Sequence, residues 1–320
     1  MPQDRFYFIL TVMTPEVDTP YEIVAGHHLQ KATAEQIERI KPLLDAFAPG
    51  PPLDPQIKDM IQPSRYEFNC VEKRDSAGTS TTLAYEGLPK GDWRYWIISF
   101  EGPNSEATDL GYALSLMAHD IELGFHLLEG GFAYQPLEMS TFLGDAARRS
   151  YLPRTVSKED LDLAAHCYAK LKELPKKYKH IVRGFRRFKS LRCLPSYSEL
   201  VTIGLFSIIE SLLTHAPKTT EGSDSLTHQL KYKIPLVRRR CTRTVDNQKF
   251  FGSLNEEKLW KKLYGYRSQI VHGETGTVAS GDKQILKGKD NIDCFLREIV
   301  KLLLIQALEE PVLMTDLKEC

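Results

Sequence analysis

The sequence predicts a two-domain α+β protein, with a mixed α/β domain over residues 1–150 followed by an all-helical bundle over residues 151–320. Three observations carry this expectation. A chain of 320 residues is too long for one compact bundle and suits two domains of ordinary size. Runs rich in aromatic and β-branched residues are confined to the first half, and helical periodicity takes over after it. Charge divides at the same place. Residues 1–150 hold 12 Lys and Arg against 22 Asp and Glu, and residues 151–320 hold 30 against 20, giving formal charges of −10 and +10 in a chain of net zero.

Taken in order, strand-like runs fall at Phe6 to Met13, Tyr66 to Val71 and Trp93 to Phe100, bounded by Pro, Gly or charged turns. The last either exposes its aromatics to a ligand or is a strand buried on both faces. Between them, Ala34 to Phe47 carries Ile37, Ile40, Leu43 and Leu44 at helical spacing and stops before Ala48-Pro49-Gly50-Pro51-Pro52. A second helix is expected over Glu106 to Ala118. In the second half, Ser157 caps a helix with acids in its first turn that ends at Pro175. Lys176 to Leu194 follows. Ser196-Tyr197-Ser198-Glu199 then has capping-box spacing for an apolar helix running to about Leu213, the expected bundle centre. Further helices are expected at Leu226 to Arg239, Glu256 to Val271 and Asn291 to Glu309.

Composition excludes several classes. At 42% hydrophobic and 26% charged residues the chain is globular, and no stretch approaches the ~20 apolar residues that cross a bilayer. The apolar start is short and runs into Thr14-Pro15-Glu16, unlike a signal segment. Six cysteines without a Cys-x-x-Cys pair fit reduced thiols and a cytoplasmic location. No metal or cofactor is expected, because His27-His28 and His166-Cys167 lack second ligand pairs at useful spacing. Gly276 to Lys283 imitates a phosphate loop, but Asp282 separates the second glycine from the lysine and no strand precedes it. Gly-x-Ser-x-Gly and Gly-x-Gly-x-x-Gly are absent from the sequence, which argues against hydrolase-elbow and dinucleotide readings.

The most specific feature is Arg267-Ser268-Gln269-Ile270-Val271-His272, followed by Gly273. It joins a permanent cation to a titratable imidazole at an expected helix end, a pair suited to metal-free RNA cleavage: a base activates the ribose 2′-hydroxyl and a cation stabilises the phosphorane. On a straight helix residues five apart point ~140° away from each other. A helix ending near Val271, with Gly273 in the left-handed conformation, would free His272 to turn toward the surface that Arg267 occupies. The carbonyl end of a helix favours an imidazolium. Ser268 either positions the phosphate or His272, or is an ordinary helix residue. Glu210, on the apolar helix, is placed to orient Arg267 or His272 as a buried carboxylate.

The wording Tyr264-x-x-Arg267-Ser268-x-Ile270-Val271-His272-Gly273, with the upstream helix Ile203 to Leu213, resembles the HEPN superfamily and within it the Apea-like HEPN group, over roughly the last 120 to 140 residues. The resemblance implies an all-helical module that often acts as a ribonuclease when dimeric, with prokaryotic defence or stress response as a setting. It also admits noncatalytic relatives that bind RNA or a protein, or serve only as dimerisation units. One histidine per chain supplies a base but no acid, so a two-fold dimer with a composite cleft is expected. The acidic first domain would then sense a regulatory ligand or partner.

A second feature fits RNA. Between Lys176 and Arg192 stand Lys176, Lys177, Lys179, Arg183, Arg186, Arg187, Lys189 and Arg192, without an acid and interleaved with Tyr178, Phe185 and Phe188. Either the cations track phosphates while exposed aromatics stack on bases, or Ile181, Phe185 and Phe188 form a buried stripe beneath a solvated or docked charged face. A second basic cluster comprises Lys231, Lys233, Arg238, Arg239, Arg240 and Arg243.

Overall fold

The computed structural model describes residues 5–46, 64–74, 81–133, 153–216, 225–273 and 285–320. Two compact units follow one another, Met1–Ala169 and Lys170–Cys320, and the division falls within a helix, Lys158–Glu173. The Gly276 to Lys283 run and the residues around position 150 lie outside the described residues.

The first unit is built on a six-stranded antiparallel sheet. Its strands are β1 (Phe6–Ile9), β3 (Tyr21–Val24), β4 (His27–Lys31), β7 (Trp96–Phe100), β8 (Leu123–Leu128) and β9 (Gly131–Ala133), in the spatial order β3-β4-β7-β1-β8-β9. β1 is central, pairing Tyr7 with Ile98 on one side and with His126 on the other. Its alternation sends Tyr7 and Ile9 to one face and Phe6 and Phe8 to the other. Helix α1 (Ala34–Ala46) lays Ile40 and Leu44 on the Phe6/Phe8 face. The opposite face is covered by α2 (Ala107–Leu114), through Leu110 and Leu114, and by Leu161 and Ala164 of α3 (Lys158–Glu173). Ser157 caps α3, its Oγ accepting from the Asp160 N–H at 3.2 Å.

Two smaller ladders complete the unit: a parallel pair, β2 (Met13–Pro15) with β10 (Arg154–Val156), and an antiparallel pair, β5 (Phe68–Arg74) with β6 (Thr81–Gly87). The expected strand from Phe6 to Met13 is therefore two strands. At Leu10 the chain leaves β1 and its N–H bonds to the Glu122 carbonyl. Trp96, Ile97, Ile98 and Phe100 are all buried, so β7 is a strand covered on both faces rather than an aromatic ligand surface.

Among its described residues the second unit is helical: α4 (Lys179–Ser190), α5 (Glu199–Leu213), α6 (Leu226–Arg238), α7 (Asn247–Phe251), α8 (Glu256–Val271), α9 (Lys289–Glu309) and α10 (Pro311–Glu319). α5 packs against α4, α6, α8, α9 and α10. Val201, Leu205, Phe206, Ile208, Ile209, Leu212 and Leu213 bury most of its circumference, as a central helix requires. Its cap is Ser198, whose side chain accepts from the Leu200 N–H at 3.3 Å, so the expected cap at Ser196 is corrected by two residues. The Ser196 carbonyl instead accepts from Lys289 Nζ at 2.7 Å.

That lysine also donates to Asp293, which is 6% exposed and takes a second hydrogen bond from Thr202 Oγ1 at 2.5 Å. A satisfied buried carboxylate thus ties the start of α9 to the first turns of α5. Gly184 lets α4 approach closely, because a Cβ there would stand 3.0 Å from Leu304 and 3.5 Å from Leu212. Among the described residues no helix is long and apolar enough to cross a membrane.

Candidate active site

α8 begins at Asn255, whose side chain accepts from the Glu257 N–H at 2.9 Å, with Glu256 and Glu257 in the first turn where the helix dipole favours anions. Leu259, Trp260, Leu263, Tyr266 and Ile270 recur at spacings of one, three, three and four, a single stripe that fixes the helix rotation against the core. Arg267 therefore sits at the edge of the buried face. Its guanidinium Nη2 is 3.5 Å from Glu210 Oε1 in the last turn of α5, and its carbon lies 5.4 Å from the centre of the Tyr264 ring. Tyr264 stacks edge-on against Phe206 of α5 at 6.0 Å.

The Arg267 and Glu210 side chains are 24% and 16% exposed. Burial raises the Glu210 carboxyl above its usual range, with Arg267 pulling the other way. The Tyr264 hydroxyl is raised for the same first reason, with Glu210 adding to it. Despite the close charges, Glu210 Oε1 and Arg267 Nε are enclosed without a hydrogen-bond partner. The pair is held by charge and leaves both an acceptor and a donor unused. A ligand oxygen reaching the guanidinium would find a donor that the fold has not satisfied.

The helix ends where the sequence predicts. His272 leaves the helical track at φ −85°, ψ 4°, its N–H still donating to the Ser268 carbonyl at 3.0 Å. Gly273 follows at φ +70°, with its N–H on the Ile270 carbonyl at 3.2 Å. Only glycine adopts that left-handed conformation without a Cβ penalty. His272 is exposed at the helix end. Among the described residues its ring makes no hydrogen bond to Arg267, Ser268 or Glu210. The structure thus brings Arg267, Glu210 and Tyr264 together and presents His272 to solvent five residues on. Tyr264 was missed as a site residue, although its place three before Arg267 puts both on one helix face.

The predicted RNA-contacting residues lie on a short 3-10 turn (Lys176–Tyr178), on α4, and on a second 3-10 turn (Leu191–Cys193). Lys176, Lys177, Lys179, Arg183, Arg186 and Arg187 are exposed, whereas Lys189 and Arg192 are half-buried and already have partners. Tyr178, Ile181, Phe185 and Phe188 are buried, which settles the aromatics of this segment as core rather than as stacking platforms for bases. The second basic cluster is largely neutralised within the unit. Lys231 pairs with Glu257, Arg238 with Glu256, Arg240 with Glu310, and Arg243 with Glu298 at 2.9 Å.

Among the described residues no group of three or more His, Cys, Asp or Glu is placed to hold a metal ion. Comparison with known proteins returns no matching family model, no matching curated protein and no matching solved structure.

Proposed function

We propose that the helical unit is a HEPN-type module that cleaves single-stranded RNA without a metal ion, acting as a homodimer in the cytoplasm. The observation that carries this reading is the end of α8: an arginine with unused donors stands on the core edge, and an exposed histidine follows at a glycine-terminated helix end. His272 takes the proton of a ribose 2′-hydroxyl while that oxygen attacks the adjacent phosphorus in line. The P–O2′ bond forms, the P–O5′ bond breaks, and the leaving 5′-oxygen takes a proton from His272 of the second copy. The products are a 2′,3′-cyclic phosphate and a 5′-hydroxyl, and no water is consumed.

Arg267 forks across two phosphate oxygens and offsets the charge gathering on them. Glu210 holds the guanidinium at rest. Ser268, half-buried beside Arg267, positions the phosphate or His272. The first unit acts as a sensor for a regulatory ligand or partner, in a setting of defence or stress response. An RNA carrying a single ribose in an otherwise deoxy strand tests the chemistry. Cleavage only 3′ of that ribose, with a cyclic phosphate end, is expected, and cleavage at deoxy positions contradicts it.

A second reading has its own support: Arg267 is already charge-paired with Glu210, and the cations of α4 are exposed. On that reading the unit binds RNA without cleaving it. The same substrate would then be bound and recovered intact.

A further inference from the structure

We infer that the exposed face of α4 is a docking surface for the phosphate backbone of a nucleic-acid duplex, recognised by charge and without regard to sequence. The inference rests on the nucleic-acid reading above and deepens it by naming the substrate class that this second surface takes.

Three observations converge on it. The first is a concentration of unneutralised charge on one short segment. Lys231, Arg238, Arg240 and Arg243 are paired with carboxylates of their own unit. Among the described residues, Lys176, Lys177, Lys179, Arg183, Arg186 and Arg187 are exposed and form no ion pair with a carboxylate. Like charges are costly to crowd on one face unless a polyanion meets them there.

The second is geometry. At ~100° per residue, Lys179, Arg183, Arg186 and Arg187 fall within an arc of roughly 100°, and they extend about 12 Å along the helix axis. Ile181, Phe185 and Phe188 occupy the opposite side and are buried. Their burial fixes the rotation of α4, so the cations are presented outward as a set.

The third is chemical. Binding of single strands draws on aromatic stacking worth ~1–3 kcal/mol per base, and the aromatics of this helix are all turned into the core. What remains are guanidinium forks and ammonium groups, which read phosphates. A duplex offers one phosphate per ~1.7 Å of axis and a single strand roughly half that density. A face confined to phosphate contacts therefore favours the duplex, including double-stranded stems flanking a single-stranded cleavage site. It has no means of distinguishing sequences.

The test uses the full chain and fluorescence anisotropy, with a duplex DNA, its single strand and the matching duplex RNA as probes, between about 50 and 200 mM salt. DNA lacks the 2′-hydroxyl and cannot undergo the proposed cleavage, so binding is read apart from chemistry. Expected are duplex affinities at least ~10-fold above the single strand, similar for different sequences, with a steep salt slope of about −0.9 per phosphate contacted. Joint replacement Arg183→Gln, Arg186→Gln and Arg187→Gln, at exposed positions, should flatten the slope by roughly 2 to 3 and leave the circular dichroism unchanged. Arg240→Gln, whose charge is already engaged by Glu310, should keep the parent slope.

A single strand bound more tightly than the duplex, or an unchanged slope in the triple variant, overturns the inference. So does polyglutamate competing as well as duplex DNA, which would move the surface to an acidic protein partner. RNA cleavage that persists alongside any of these results leaves the ribonuclease reading standing. Duplex DNA binding without RNA cleavage removes that reading and keeps this one.

Discussion

Glu210 Oε1 lies 3.5 Å from Arg267 Nη2, joining the last turn of α5 to the end of α8 by an ion pair in which Glu210 Oε1 and Arg267 Nε are enclosed without a hydrogen-bond partner. Because burial outweighs the arginine and raises the Glu210 carboxyl, the ionised form is penalised in the folded state. Stability linked to the protonated form is fully present below the ordinary glutamate value of about 4.3 and is lost as pH rises through the raised folded-state value. Glu210→Gln mimics the protonated form. Thermal melts should show the variant at least as stable as the parent at pH 7, with the difference closing toward pH 4; a variant clearly less stable at pH 7 would mean that the charge pair contributes net stability.

Gly273 occupies φ +70°, which a Cβ makes unfavourable. Gly273→Ala should cost about 1 kcal/mol and displace His272 from its place at the helix end. Denaturant titration reads the first effect and RNA cleavage the second. Unchanged stability and unchanged cleavage together would show that the terminus tolerates another path.

The buried carboxylate of Asp293 satisfies Thr202 and Lys289 at once. Asp293→Ala leaves the hydroxyl without its acceptor and the ammonium with the Ser196 carbonyl but no counter-charge, and should cost about 3 kcal/mol or more. A loss under 1 kcal/mol in chemical denaturation would show that the network is dispensable.

Phe185 is 1% exposed beneath the cations of α4. Phe185→Leu should lower stability by about 1 kcal/mol while leaving nucleic-acid affinity unaltered, since the ring is core. Weakened affinity without loss of stability would return the ring to the surface.

Much of the helical unit was legible because its helices carry both a period and punctuation. The bounds of α8 follow from Asn255 ahead of two glutamates and Gly273 behind, and the sequence expectation of Glu256 to Val271 matches them. At α5 the Ser196-x-x-Glu199 spacing misled, since Ser198 offered a second cap two residues later, and spacing alone does not rank two serines. Helices α7 and α10 were missed because they are short and lean on tertiary neighbours. In the first unit, Tyr21–Val24 and His27–Lys31 pair with each other across a tight turn, but the first is only four residues long and the second is His-His-Leu-Gln-Lys, mostly polar, so neither read as a strand. The aromatics of α4 and of the turn before it were ambiguous for a different reason. Tyr178, Phe185 and Phe188 fit a core stripe and a stacking surface equally until the packing partners of the helix are known. The Glu210–Arg267 contact, spanning two helices, was reachable only as a possibility of residue type.

The proposed role of His272 in metal-free cleavage is decided by comparing the rates of parent and His272→Ala chains on the same RNA, each in excess EDTA. Expected are undiminished parent cleavage giving 2′,3′-cyclic phosphate ends, and a rate at least ~100-fold lower for His272→Ala with an unchanged circular dichroism spectrum. Parent activity abolished by EDTA, or equal rates for the two chains, would contradict it.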